Sequence, residues 1–131
     1  MDRDETTGRW AADAAEVRAR LHPDTGGTPM AANPMAALAP DFAAVVADLA
    51  MSRYAGEALE LKTRALCTVA ALVALGQETY AANWIDNALN AGATRHEVTE
   101  LLCQLFAYVG TPLTVRGFAA AQAAFTRREG D

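Results

Sequence analysis

Apolar residues recur along the chain at helical spacing, and Gly and Pro cut the pattern into helix-length pieces. A first helix is predicted from about Thr7 to Leu21, with Trp10, Ala14, Val17 and Leu21 on one stripe. The run His22-Pro23-Asp24-Thr25-Gly26-Gly27-Thr28-Pro29 ends it in a Gly/Pro loop (22–34), either a simple connection or a lid. Pro40 can open a second helix carrying Phe42, Val45, Val46 and Leu49, with its end near Gly56. The third, about Glu60 to Leu75, is apolar on every side after Arg64, so it is expected to be central or at a subunit interface.

Gly76 separates this helix from a fourth, about Glu78 to Ala91, which Gly92 ends with a left-handed cap. Thr94-Arg95-His96-Glu97 has the form of a capping box and starts a fifth helix, with Val98, Leu101, Leu102, Leu105 and Val109 at helical spacing. Gly110 ends that helix, and Pro112 opens the last one, which carries Leu113, Val115 and Phe118 and runs to Arg127. No run alternates like a strand, so the expected fold is all-α: a bundle of about six helices in one domain, 1–131, with core helices over 40–128.

Composition narrows the function classes. Apolar residues are 52% of the 131 and charged residues 21%, enough for a core under a soluble exterior. The net charge of -5 argues against a surface that tracks phosphates, so no nucleic-acid partner is expected. The longest apolar stretch, Ala65 to Leu75, is about half of the ~20 residues that span a bilayer, and the acidic N-terminus has no h-region. No membrane contact and a cytoplasmic location are therefore expected. Cys67 and Cys103 lie inside apolar helical patterns and read as free core thiols.

The order of the pieces resembles the carboxymuconolactone decarboxylase family. The resemblance is carried by Thr63-Arg64 opening an Ala-rich helix, then Ala88-Leu89-Asn90-Ala91-Gly92 and Ala93-Thr94-Arg95-His96-Glu97-Val98, then Gln104, Tyr108, Gly110 and Pro112. It is strongest from Leu59 to Pro112. It implies an all-helical protomer that forms homo-oligomers (dimers, trimers or hexamers), with a small apolar pocket for enol or lactone intermediates. The family's decarboxylases keep a proton-transferring histidine on the fourth helix, and that place falls here on Trp84. Indole only donates a hydrogen bond and cannot move the proton. An acidic position upstream falls on Ser52, and an aromatic one on Tyr54. The related alkylhydroperoxidase D branch uses a Cys-x-x-Cys pair, which this chain lacks.

Single residues carry alternatives. Arg64 opposes the dipole of its helix, so it is either a clamp for a carboxylate or enolate or one half of an ion pair with Glu57, Glu60 or a neighbouring subunit. Trp84 and Tyr80, four apart, can wall a flat ligand or pack in the core, with packing favoured for Tyr80. Asp86 and Asn87 are expected to face solvent. Tyr54 and Glu57 are the remaining proton carriers, and Glu57 suits that role only where burial raises its pKa. His96 reads as solvated and His22, beside Pro23, as a loop residue, and no spacing suits a metal.

The reading that follows is a cofactor-independent lyase, isomerase or cyclase acting on a small enol- or lactone-type, polyketide-like molecule of secondary metabolism. Arg64, Tyr54 and Glu57 are its catalytic candidates; Trp84, Tyr80, Ser52 and Cys67 are its substrate-binding candidates. A ligand-binding or assembly homo-oligomer that turns nothing over is the alternative.

Overall fold

The structure, a computed structural model, describes residues 2–23 and 33–130. Most of the Gly/Pro loop therefore lies outside the described residues. The chain divides into two compact units, Met1–Glu60 and Leu61–Asp131. Among the described residues there are helices and no strand.

The first unit holds α1 (Arg3–Leu21), α2 (Pro34–Leu38), α3 (Pro40–Ser52) and a 3-10 turn, Arg53–Ala55. Helix α1 starts a turn earlier than its apolar stripe does, because Asp4 and Glu5 sit favourably at the positive end of its dipole. Ala14, Val17 and Leu21 are buried as the stripe predicts. Arg18, on the same face, is also buried and reaches Asp48 of α3 at 3.0 Å. Periodicity did not reveal α2, a short helix opened by Pro34 and capped by the Asn33 side chain, which accepts from the Met35 N–H at 2.8 Å. In α3 the expected stripe is only partly realised: Ala43 is buried and Val46 half-buried, while Phe42, Val45 and Leu49 remain exposed.

The second unit holds α4 (Leu61–Ala74), α5 (Glu78–Asn90) and α6 (Arg95–Glu129). Its core joins Val69 and Val73 of α4, Ala81 and Ile85 of α5, and Val98, Leu102, Ala120, Ala121 and Ala124 of α6. Helix α4 turns a single stripe inward (Leu61, Ala65, Val69, Val73) and leaves Cys67, Ala71 and Ala74 exposed, so it is not central within its own chain. Both cysteines, expected in the core, are exposed, because the buried stripes of α4 and α6 run through their neighbours. Asn87 is buried rather than solvated, two positions past the core residue Ile85 and directly before the buried Ala88.

The two turns close alike. Gly76 (φ 71) lets the Gln77 N–H reach the Leu72 carbonyl at 2.9 Å, and Gly92 (φ 105) lets the Ala93 N–H reach Ala88 at 2.9 Å. The guanidinium of Arg116 donates to the Gly76 carbonyl at 2.9 Å and so serves the negative end of α4.

Helix α6 is broken at Gly110 (φ 80, ψ 176), as the sequence predicts. Its two halves fold back antiparallel: Arg95 pairs with Glu129 at 2.7 Å, and Leu102 lies against Gly117. By length and composition the whole run could cross a membrane, with 17% of its most apolar window buried. The break at Gly110 leaves two shorter helices instead of one continuous span.

Candidate functional site

Around Trp84 the second unit brings three pieces of chain together: the start of α4, the middle of α5 and the turn before α6. Ala65, Ala88 and Ala93 form a buried cluster, and Trp84 and Leu66 pack on it half-buried. Three alanines give an indole room where branched side chains would exclude it. Arg64 directly precedes Ala65 in α4. Arg64 is half-buried in the second turn of α4, and its carbonyl accepts from the Thr68 hydroxyl at 3.1 Å.

The turn before α6 is held electrostatically. Thr94 accepts from the Glu97 N–H at 3.0 Å, while the Glu97 carboxylate accepts from the Thr94 N–H at 2.9 Å. Lys62 of α4 adds an ion pair to Glu97 at 3.2 Å. The Thr94 N–H first, and then Lys62, hold the Glu97 carboxyl below its ordinary pKa. Lys62 thereby ties the start of α4, with Arg64, to the turn that carries Ala93. The sequence contains the signals for this arrangement, namely two cations in the first turns of α4 and alanines inside the quoted motifs. Which cation meets Glu97 is decided only by the folded helices.

The other expected residues are placed as follows. Tyr80 shares the face of Trp84 one turn earlier, but it is 58% exposed, so it does not pack in the core as favoured. Cys67 is exposed on α4. Ser52, Tyr54 and Glu57 belong to the first unit. Ser52 is buried, with its hydroxyl donating to the Leu49 carbonyl at 2.7 Å and accepting from the Arg53 guanidinium at 3.3 Å. Tyr54 is half-buried in the 3-10 turn, and Glu57 is exposed in a bend.

Asp86 is not simply solvated: Arg127 reaches it at 2.5 Å and Arg128 at 3.7 Å, which fastens the end of α6 to α5. His96 is exposed beside Glu100. His22, at the end of α1, is half-buried, and burial first, then the Arg18 charge, push its pKa down. Among the described residues no three His, Cys, Asp or Glu side chains group as a metal site would require.

Each unit carries an open groove. One of about 570 Å³ runs along α6 between Arg95, Thr99, Phe118 and Phe125. The other, about 630 Å³, lies beside Arg3, Thr7, Trp10 and Val45. Neither is lined by the expected site residues.

Comparison with curated proteins finds no match. The model of the carboxymuconolactone decarboxylase family matches residues 40–123, which run from the first residue of α3 into the second half of α6. The pairing of an Arg-led, Ala-rich helix with the α5 turn and the capped start of α6 is thus explained by descent: the chain belongs to the carboxymuconolactone decarboxylase family.

Proposed function

We propose that the chain is a cofactor-independent enzyme of the cytoplasm, acting on a small enol- or lactone-type molecule by cyclisation, isomerisation or decarboxylation. The observation that carries this reading is the seat of Trp84 on Ala65, Ala88 and Ala93, with Arg64 the residue before Ala65 in α4. A flat apolar wall and a planar cation in the same unit suit a conjugated carbonyl compound that gains negative charge as it reacts. Arg64 stabilises the developing enolate, an effect of roughly 3 kcal/mol for one well-placed donor. Trp84 holds the substrate, with Tyr80 and Cys67 as further binding positions. Trp84 stands where the family's decarboxylases keep their histidine, so another group carries the proton.

Incubation with carboxymuconolactone and a panel of conjugated lactones and polyketide-like enols, followed by NMR and carbon dioxide release, tests the proposal. Turnover that falls about 100-fold in Arg64→Ala, with helix content unchanged, supports it. A panel left untouched, with binding indifferent to both Arg64→Ala and Trp84→Ala, overturns it. The exposure of Tyr80 and Cys67 favours the second reading, a homo-oligomeric binding or assembly protein. Tight binding of a panel member without conversion would select it.

A further inference from the structure

Tyr80, Trp84 and Asn87 stand at i, i+4 and i+7 along α5, so they share one side of the helix, while Ala81 and Ile85 belong to the core with α6. Exposure falls along that side from 58% at Tyr80, through the half-buried Trp84, to 4% at Asn87. The stripe thus leads from solvent to a buried amide with two N–H donors and an acceptor oxygen. Among the described residues this amide has no hydrogen-bond partner. Its polar neighbours on α5 do: Asn90 accepts from Arg128 at 3.1 Å, and Asp86 pairs with Arg127. Buried polar side chains are nearly always paired, because the hydrogen bonds they give up to water have to be replaced. Leu or Ala at this position would cost the fold no hydrogen bond, and both form helix better than Asn. The amide is therefore explained by a partner that is not part of the fold.

We infer that Asn87 reads the polar edge of the ligand that lies against Trp84, and that this ligand is a flat conjugated ring with a hydroxyl and a carbonyl on neighbouring positions, an enolised 1,2-dicarbonyl. The inference rests on the proposed site at Trp84 and names the class of molecule that it takes. Residues three apart on a helix are neighbours, with Cβ atoms about 5–6 Å from each other, so a ring stacked on the indole brings its edge to the amide. An amide pairs in one plane with a donor and an acceptor on adjacent ring positions. Here the Asn87 N–H donates to the ligand carbonyl, and the Asn87 oxygen accepts from the enol hydroxyl. A carboxylate offers acceptors only and would set a negative oxygen against the amide oxygen. A ring with a carbonyl but no hydroxyl leaves that oxygen buried and bare, which is how a polar site rejects an analogue.

Two probes that differ only in the donor test this on the full chain: 3-hydroxy-2-methyl-4-pyranone and its 3-methoxy counterpart. Binding is read from the indole N–H signal of Trp84 in NMR, identified by its survival in Trp10→Phe, since the chain has two tryptophans. The wild type should bind the hydroxy probe at least ~10-fold tighter than the methoxy probe. Asn87→Leu should bring that ratio close to one, while the thermal midpoint of the protein without probe stays the same or rises, because no internal hydrogen bond is lost. Should Leu prevent folding, Asn87→Ala gives the same ratio. Equal binding of the two probes by the wild type overturns the inference and leaves the site at Trp84 standing. So does a preference that survives both substitutions, with a midpoint that falls by several degrees, which marks Asn87 as structural. A Trp84 signal that neither probe moves also overturns it, and the site itself is then decided by the panel of lactones and enols.

Discussion

Two glycines inside helices show how far a residue's effect depends on its neighbours. A methyl group added at Gly8 of α1 would meet nothing within 4 Å. Gly8→Ala should then raise stability by about 0.5–1 kcal/mol, the helix-propensity gain. At Gly117 the same atom would come within 3.0 Å of both the Leu102 and Val73 side chains, one fully buried and the other stiff at χ1. Gly117→Val should cost roughly 2–3 kcal/mol, because overpacking outweighs the propensity gain. Urea unfolding of both variants checks the pair, and equal shifts would contradict the packing described. Among candidate site residues, the chemistry of Arg64 and Trp84 is read from residue type, whereas the seat beneath the indole needs three alanines from three segments.

At the scale of elements, the start and the break of α6 fix the hairpin. Gly110 has φ 80 and ψ 176, a region essentially reserved for glycine, although an added Cβ there would touch nothing. Gly110→Ala should therefore cost about 1–3 kcal/mol through backbone strain alone. Thr94→Ala removes the acceptor for the Glu97 N–H and should cost about 1 kcal/mol in thermal or urea unfolding. A Thr94→Ser variant, which keeps the hydroxyl, should recover most of that loss. Both positions are readable from the sequence, because a capping box and a Gly two residues before Pro112 are local signals.

For the whole molecule, the acid side of the stability profile should contain two separate steps. His22 has a folded pKa below its ordinary value of about 6.5, through burial and then through Arg18, which itself pairs with Asp48. Its neutral form is the one that fits. The associated stability is complete above pH 6.5 or so and is lost as pH falls from there through the folded value. Glu97 is also depressed, by the Thr94 N–H and Lys62, so its contribution is present above the ordinary carboxylate range and disappears at lower pH. Urea midpoints against pH should lose the upper step in His22→Gln and keep it in Glu97→Gln. The opposite assignment would show that the two groups are placed differently in the folded chain.

The sequence alone determined the helical class, the position of nearly every helix and the family, since these rest on local spacing, caps and glycine turns. It also marked Arg64 and Trp84 as the chemical anomalies of the chain. Tertiary structure alone decided which side of each helix is covered. It exposed Cys67, Cys103 and Tyr80, buried Arg18 and Asn87, and gave Lys62 rather than Arg64 to Glu97. The reason is that helical periodicity reports the presence of an apolar face but not which neighbour meets it. A helix as apolar as α4 has several faces of similar hydrophobicity, and only the approach of α5 and α6 selects the one that is buried.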